Sequence, residues 1–251
     1  MTRILLLGGT TEAMKLAATL ADYQVDAVFS YAGRTNNPVE PPLPTRVGGF
    51  GGVDGLRQYL RDEGITHVVD ATHPFAAQMS QNAVEACTAE GIDLCALERG
   101  PWRNKPGDSW KNVTDMAGAL AALPDSPRRI FLAIGRQHVA EFAAKPQHHY
   151  LLRLVDAPES DLPVPNASVV LARGPFDLAG DRALLQEHKI DLIVAKNSGG
   201  VGARAKLDAA RELGIPVILI DRPHIPTRPI MRTVTDVMDW LDHALEADGL
   251  A

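Results

Sequence analysis

Residues 4–13 read Ile-Leu-Leu-Leu-Gly-Gly-Thr-Thr-Glu-Ala, and their pattern indicates the fold class. Four large aliphatic side chains predict a buried strand, Gly8 and Gly9 allow a tight turn, and a helical pattern begins at Glu12. The glycines let an anion approach the backbone, and the start of the helix offers free N–H groups to a phosphate. This order is typical of a dinucleotide-binding βα unit. An ordinary βα turn that needs glycine explains the same residues, because the complete G-x-G-x-x-G pattern is absent.

The alternation of short apolar runs and helical patterns continues along the whole chain. Apolar runs at 25–30, 67–70 and 94–97 predict further strands, and a second series of strands and helices occupies residues 130–220. Strands separated by helices favour parallel sheets, since parallel strands need crossover connections. The sequence therefore predicts an α/β protein of two Rossmann-like lobes, with parallel sheets flanked by helices and an active site in the cleft between them.

The boundary between the lobes is expected near a polar segment with two Trp and two Gly/Pro turns, residues 99–111. We expect residues 1–100 to form the N-terminal cofactor-binding lobe and residues 101–251 the C-terminal α/β lobe. The final strand and helix, residues 230–247, fit either lobe. The sequence leaves the oligomeric state open.

Composition narrows the function classes. The chain has 251 residues, a net charge of −6 and an ordinary globular content of 45% hydrophobic and 22% charged residues. No basic field indicates nucleic acid, and no apolar run is long enough for a membrane span. The N-terminus carries no pattern typical of a signal peptide, so we expect a cytoplasmic protein. Cys87 and Cys95 lack the spacing of a metal or disulfide motif, so no metal is expected.

The end of the second predicted strand bears on which dinucleotide is bound. An acidic residue commonly binds the ribose 2′-hydroxyl of NAD here, but this chain has Ser30 followed by Arg34. A hydroxyl and a guanidinium bind a 2′-phosphate, whereas a carboxylate repels it. This pattern favours NADPH. A solvated loop arginine is the alternative interpretation of Arg34.

Two further segments of the first lobe are candidates for the cofactor site. Gly48 and Gly49 begin a glycine cluster that serves either as a flexible loop or as a wall close to the cofactor. The loop after the third strand follows the carboxyl end at which ligands bind in open α/β sheets. His73 in this loop can donate a proton near neutrality, or it is a hydrogen-bonded histidine beside a helix cap. The residues of the first lobe predicted to bind cofactor are Gly8, Gly9, Thr10, Thr11, Glu12, Ser30, Arg34, Gly48, Gly49, Thr72, His73, Pro74 and Phe75.

The second lobe has its own candidate anion site. Residues 196–200, Lys-Asn-Ser-Gly-Gly, follow a predicted strand and can hold a phosphate or a carboxylate. Arg136 and Arg173 lie at comparable strand ends, although a single Arg is more often a surface charge. If these basic residues share one cleft, they form a polyanion site. The predicted substrate-binding residues are Arg136, Arg173, Lys196, Asn197, Ser198, Gly199 and Gly200.

Several of these motifs together resemble the precorrin-6A reductase family of cobalamin biosynthesis. The resemblance implies hydride transfer from NADPH to a C=C bond of the precorrin macrocycle, giving precorrin-6B, without metal or flavin. It also implies a tetrapyrrole substrate rich in carboxylates, in agreement with the basic residues of the second lobe. The stretches that carry it, in order along nearly the whole chain, are 4–13, 47–52, 70–76, 132–137, 196–200, 205–207, 214–218 and 222–223.

Two other classes of function are consistent with parts of the sequence. A non-catalytic NADP-binding sensor explains the first lobe but not the 196–200 segment. A nucleotide-sugar epimerase or dehydratase explains the fold, but no Tyr in the chain has a Lys four residues later, as the Tyr-x-x-x-Lys pair requires. A sensor would bind NADPH without consuming it. The candidate catalytic residue of the reductase is His73.

Overall fold

A computed structural model describes residues 2–33, 39–158 and 160–247, with side chains described as far as residue 242. The chain divides into two compact units. The first comprises residues 1–100 with 224–251, and the second comprises residues 101–223.

Twelve strands and seven α-helices form the described chain. The strands are β1 (Ile4–Leu7), β2 (Ala27–Tyr31), β3 (Thr45–Val47), β4 (His67–Asp70), β5 (Asp93–Leu97), β6 (Trp110–Val113), β7 (Arg129–Ala133), β8 (His149–Leu154), β9 (Ala167–Leu171), β10 (Leu192–Lys196), β11 (Val217–Ile220) and β12 (Ile230–Met231). The helices are α1 (Thr11–Asp22), α2 (Gly52–Asp62), α3 (Ala77–Glu90), α4 (Met116–Ala121), α5 (Leu178–Glu187), α6 (Ala205–Leu213) and α7 (Val234–Ala247), and Arg136–Ala144 is a 3₁₀ helix.

The first unit contains a six-stranded sheet in the order β12-β5-β4-β1-β2-β3, with every neighbouring pair parallel. β1 lies at its centre, and all four of its aliphatic side chains are buried. Leu7 is in register with Ser30 of β2 and with Asp70 of β4. The segments that follow these three strands therefore emerge together at the carboxyl edge of the sheet, where open α/β sheets bind ligands.

The second unit contains another six-stranded parallel sheet, in the order β6-β11-β10-β7-β8-β9. The five strands β7 to β11 take the same relative order as β1 to β5, and each sheet gains a sixth strand beside its fifth. The carboxyl ends of β7 and β10 are adjacent, since Ala133 is in register with Ala195. The two sheets confirm the α/β class with parallel sheets and Rossmann-like topology.

Some elements differ from the sequence-based expectation. β3 and β6 were not expected, because β3 has only three residues and β6 reads Trp-Lys-Asn-Val with an exposed centre. Of the two positions left open for the terminal strand, the structure shows the one beside β5. The range 101–251 expected for the second lobe therefore differs from the second unit, because β12 completes the first sheet and brings residues 224–251 into the first unit.

Candidate functional site

Thr10 organises the turn that follows β1. Its hydroxyl oxygen accepts a hydrogen bond from the backbone N–H of Ala13 at 3.1 Å and so caps α1. The same hydroxyl donates to the carbonyl of Ala71, just beyond β4, at 2.8 Å. The Thr10 side chain thus holds the glycine turn against the carboxyl end of β4, which neighbours β1 in the sheet. The first N–H groups of α1 remain directed out of the helix N-terminus, as anion binding requires.

Gly8 is required by close packing against a neighbouring strand. A Cβ atom at this position would lie 2.0 Å from the ring of Phe29, which is fully buried in β2. Gly9 has φ +129°, and no atom lies within 4 Å of the point that a Cβ atom would occupy there, so the turn is open on its other side. The turn therefore fits a diphosphate, which needs backbone at close range and open space in front of it.

Glu12 was predicted to bind cofactor, and the structure gives its carboxylate a protein partner. Arg99 donates to Oε2 of Glu12 at 2.9 Å, with both side chains mostly buried. The negative charge lies in the first turn of α1, where the helix dipole stabilises it. A role for Glu12 toward the cofactor stays a prediction.

Ser30, near the end of β2, is held by Arg46, an arginine that is not among the residues predicted to bind cofactor. Nη1 of Arg46 in β3 donates to the hydroxyl oxygen of Ser30 at 2.8 Å and to the carbonyl of Gly48 at 2.9 Å, and Nη2 donates to the carbonyl of Gly49 at 3.2 Å. Gly48 and Gly49 thus contribute carbonyl groups to this cluster. Arg34, the arginine predicted to act with Ser30, lies outside the described residues.

Aromatic rings fix the plane of the Arg46 guanidinium. It stacks over Phe50 at 3.8 Å and lies 5.2 Å from the centre of the Tyr59 ring. The two rings pack edge to face at 5.2 Å. Burial lowers the pKa of Arg46, and the nearby Tyr59 opposes this effect. Arg46 stays protonated at neutral pH, because arginine loses its proton only far above that range.

The loop after β4 is ordered by the carboxylate of Asp70. Its Oδ1 accepts hydrogen bonds from the backbone N–H of Thr72 at 3.1 Å and from the Thr72 hydroxyl at 2.7 Å. Nδ1 of His73 accepts from the backbone N–H of Phe75 at 3.2 Å. A neutral His73 that accepts at Nδ1 carries its proton on Nε2, so the ring has a donor on the far nitrogen. Pro74 is buried beside it.

A buried arginine supports this loop from the other side of Asp70. Arg228 has its Nε 3.7 Å from Oδ2 of Asp70 and donates from Nη2 to Glu98 at 3.0 Å. Asp70 and Arg228 are almost fully buried. Because removal of Arg228 would leave the Asp70 carboxylate buried without this cation, the ion pair stabilises Asp70 in its position.

In the second unit, the 196–200 segment is anchored by Trp102. Oδ1 of Asn197 accepts from the backbone N–H of Trp102 at 2.7 Å, and its Nδ2 donates to the Trp102 carbonyl at 3.2 Å. The indole N–H of Trp102 donates to the carbonyl of Gly200 at 2.6 Å. Arg222 adds hydrogen bonds to the carbonyls of Asn197 and Ser198 at 3.0 and 3.1 Å. The Asn197 amide, predicted to bind substrate, therefore has a structural role on both of its polar atoms.

The structure links the segment that contains Arg173 to the 196–200 segment. The backbone N–H of Phe176 donates to the carbonyl of Gly202 at 3.4 Å. The guanidinium of Arg153 stacks on the Phe176 ring at 3.5 Å and pairs with the buried carboxylate of Asp181. Arg173 itself is exposed, next to the Gly174–Pro175 bond. Arg153 and Asp181 were missed because neither lies in a glycine-rich motif.

The remaining predicted basic residues lie at or just after strand ends. Arg136 is exposed, begins the 3₁₀ helix after β7 and lines a cavity of about 210 Å³ together with Leu152 and Asp161. Lys196 is the last residue of β10, the strand adjacent to β7. Gly199 and Gly200 have φ +69° and +75°, so this turn depends on glycine.

The structure contains neither an evident metal centre nor a candidate membrane segment in the described ranges 2–33, 39–158 and 160–247. There, no group of three or more His, Cys, Asp or Glu residues is arranged to hold a metal ion. None of the helices in these ranges combines the length and the apolar character needed to span a bilayer. Cys87 and Cys95 are buried free thiols.

The sheet order, the glycine turn after β1 and the capped N-terminus of α1 place the first unit in the Rossmann class of α/β folds. Comparison with known proteins identifies the family. The family model for "Precorrin-6x reductase CbiJ/CobK" matches residues 3–242, and the chain belongs to this family.

Similarity to individual proteins extends over essentially the whole chain. The precorrin-6A reductase of Rhodobacter capsulatus is 62% identical over 251 residues, with both chains fully covered. That of Rhodococcus erythropolis is 51% identical, over 94% of this chain and 95% of the relative. A solved structure described as "CobK precorrin-6A reductase" superposes with a TM-score of 0.94 at 63% identity, covering 97% of each chain. The family expected from the sequence, and the reductase class of enzyme, are confirmed.

Proposed function

We propose that this enzyme reduces a C=C bond of precorrin-6A with NADPH, giving precorrin-6B in cobalamin biosynthesis. The observation that supports this most is the similarity to precorrin-6A reductases over the full length of the chain. A cytoplasmic location is part of the same proposal. The chemistry is a two-electron reduction, in which one ring carbon receives hydride and its neighbour receives a proton.

The first unit supplies the cofactor site in this proposal. NADPH, when bound, supplies the hydride. The open turn at Gly8 and Gly9 and the N-terminus of α1 hold the diphosphate, because backbone N–H groups and the helix dipole both favour negative charge there. Ser30 lies near the end of β2, at the edge of the sheet where Rossmann domains recognise the 2′-substituent of the adenosine ribose. We therefore assign Ser30 to the adenosine end of the cofactor. The 72–75 loop, fixed by Asp70, lies beside the turn through the Thr10–Ala71 hydrogen bond and is assigned to the nicotinamide end.

The second unit supplies cations for the substrate. Arg136 and Arg173 follow strand carboxyl ends and Lys196 is the last residue of β10, and a macrocycle with many acetate and propionate groups needs such partners. Gly199 and Gly200 let the backbone of the same turn approach a carboxylate. We assign these residues to orientation of the ring, since holding reactants in place lowers the barrier without any protein nucleophile.

His73 is the proposed proton donor to the second carbon. Because its Nδ1 faces the backbone N–H of Phe75, Nε2 is the nitrogen assigned to donate, and the protonated imidazolium ring returns to neutral imidazole when the carbon receives its proton. Removing a general acid typically lowers the rate about 10²- to 10⁴-fold. We expect His73→Gln to lower kcat by at least about 10²-fold while the KM for NADPH stays near its original value. His188→Gln, at the end of α5 in the second unit, is the matched control.

The test of the proposed function is anaerobic incubation of the enzyme with NADPH and precorrin-6A, following nicotinamide absorbance and the spectrum of the macrocycle. A reductase consumes NADPH only when the tetrapyrrole is present and yields one reduced ring per NADPH. Binding of NADPH without consumption under these conditions would instead support the sensor. An unchanged kcat in His73→Gln, with the wild type active, contradicts only the assignment of the proton donor.

A further inference from the structure

Arg46 lies beside the strand end at which Rossmann domains distinguish NADPH from NADH. It lies in β3, and its strand neighbour in the register is Ser30, near the end of β2. The distance of 2.8 Å between Nη1 of Arg46 and Oγ of Ser30 joins the two side chains directly. The carboxyl end of the second strand is where an acidic residue binds the 2′-hydroxyl in NAD-dependent enzymes. Residues 29–39 of this chain contain no Asp or Glu.

Arg46 and Ser30 together have more N–H and O–H donors than they have acceptors among the described residues. Arginine has five N–H groups, and Arg46 donates three hydrogen bonds, to Ser30, Gly48 and Gly49. Nε–H and one Nη2–H therefore have no acceptor among the described residues. The Ser30 hydroxyl accepts from Arg46, so its own proton is available to donate. Two guanidinium N–H groups and one O–H form a set suited to phosphate oxygens.

The Arg46 guanidinium is also held rigidly, and a rigid guanidinium favours the recognition of a phosphate. Phe50 lies under it at 3.8 Å, and the carbonyl groups of Gly48 and Gly49 hold two of its nitrogens. Little side-chain entropy remains to be lost when an anion binds. The charge of Arg46 has no carboxylate within ion-pair distance among the described residues, so an incoming dianion would meet an uncompensated cation.

We propose that Arg46, acting with Ser30, binds the 2′-phosphate of NADPH and gives the enzyme its preference for NADPH over NADH. This inference rests on the proposed function, because it takes the first unit as the cofactor domain. It transfers to Arg46 the role that the sequence favoured for Arg34. A purely structural Arg46 would tie the Gly48–Gly49 loop to β2, and its loss would weaken the binding of both dinucleotides alike.

Binding of two nucleotide fragments separates these roles without requiring turnover. Calorimetry measures the affinities for 2′,5′-ADP and for 5′-ADP, which differ only in the 2′-phosphate. We expect Arg46→Gln to weaken 2′,5′-ADP binding about 10- to 100-fold, as loss of charge-assisted hydrogen bonds predicts, and to change 5′-ADP binding less than about threefold. Arg46→Lys keeps the charge but loses the planar fork, so it should retain part of the selectivity. The ratio of kcat/KM for NADPH and NADH should fall in parallel.

Two controls address the folding of the variants and the choice of arginine. Arg61→Gln removes an arginine from α2 that pairs with Glu90 and should leave both affinities unchanged. Circular dichroism checks Arg46→Gln, and Arg46→Lys provides the test if the glutamine variant is unfolded. Arg34→Gln tests the arginine that the sequence favoured, and a loss of 2′,5′-ADP selectivity in this variant with Arg46→Gln unaffected would assign the 2′-phosphate to Arg34.

The outcomes distinguish this inference from the proposed function. Equal weakening of both fragments in Arg46→Gln, or a loss of selectivity in Arg34→Gln alone, would overturn the role of Arg46. An absence of 2′,5′-ADP selectivity in the wild-type protein would do the same. If the wild type selects 2′,5′-ADP through Arg46 but does not reduce precorrin-6A, the inference stands and the proposed reductase activity fails.

Discussion

The side-chain amide of Asn197 pairs with the backbone of Trp102 in the way that a neighbouring strand would. Oδ1 accepts from the Trp102 N–H at 2.7 Å, and Nδ2 donates to the Trp102 carbonyl at 3.2 Å, across 95 residues of sequence. Both residues are buried. One amide thus satisfies a backbone donor and a backbone acceptor that water does not reach, in the segment that begins the second unit.

Asn197→Ala should destabilise the protein by about 1–3 kcal/mol, because the buried N–H of Trp102 loses its acceptor. The free energy of unfolding from urea denaturation measures this effect. Asn112→Ala is the matched control, since its amide bonds to Asp221 on the exposed surface, and we expect it to change stability by less than about 0.5 kcal/mol. Equal effects of the two substitutions would show that the buried pairing adds nothing to stability.

Gly8→Ala tests whether close packing or backbone conformation makes glycine necessary after β1. The new methyl group would lie 2.0 Å from the ring of Phe29, and Gly8 has no positive φ, so the cost is steric. Overpacking of this kind costs about 1–3 kcal/mol, and displacement of the turn should also weaken 5′-ADP binding.

Gly100→Ala is the stability control for Gly8→Ala, because nothing lies within 4 Å of its added methyl group and its φ is not positive. The melting temperature of Gly100→Ala should lie close to that of the wild type. A Gly8→Ala protein with wild-type stability and nucleotide affinity would contradict the steric argument.

The sequence was sufficient to predict the features that depend on local pattern. The buried run 4–7, the glycine turn and the helix after it predicted the central strand of the first sheet and the edge at which its loops meet, because these follow from periodicity and turn chemistry. The same pattern in the second half predicted a second parallel sheet, and the structure adds the strand order of both sheets.

Features that depend on long-range partners could not be predicted in this way. Arg46 precedes a glycine cluster, but its contact with Ser30 arises only from the pairing of β2 with the short strand β3. The 196–200 motif was correctly placed after a strand, yet nothing local indicates that the Asn197 amide is bonded to Trp102. Asp70 lay inside a recognised motif, but its ordering of Thr72 depends on a side-chain turn that many Asp residues do not form.

The buried ion pair between Arg153 and Asp181 gives a third prediction. The Asp181 carboxylate is almost fully buried, and the Arg153 guanidinium stacks on Phe176. Asp181→Ala should cost about 3–5 kcal/mol, because it leaves the cation buried without its partner. The double variant Asp181→Leu/Arg153→Met should regain much of this stability, since both charges are then absent.

Glu212→Ala is the control for this pair. Glu212 meets Arg182 at 3.5 Å with both side chains about half exposed, and such surface pairs contribute about 0–1 kcal/mol. Denaturation in urea compares the three variants. Should Asp181→Ala and Glu212→Ala lose the same small amount, the pair contributes no more than a surface contact.

His148 gives a prediction about pH. The residue is fully buried, and its Nδ1 accepts from the backbone N–H of Arg128 at 3.2 Å. Burial lowers the pKa of His148 from its ordinary 6.5, Lys145 and Arg128 lower it further, and Asp191 opposes them. The unfolded chain therefore takes up this proton at a higher pH than the folded chain. The contribution of neutral His148 to the free energy of unfolding is therefore complete above pH 6.5. It is lost as the pH falls from 6.5 toward the pKa of His148 in the folded protein.

Urea denaturation at pH 7.5 and at pH 5.5 should thus show a less stable protein at the lower pH. His148→Asn keeps an acceptor near the position of Nδ1 but does not titrate, so its loss of stability over this interval should be smaller. His149 also has a pKa lowered mainly by burial and accounts for part of the remaining change. Asp236 has its pKa lowered from 3.8 by backbone N–H groups, so it titrates below this interval. An identical pH dependence in His148→Asn and the wild type would show that His148 does not couple folding to protonation.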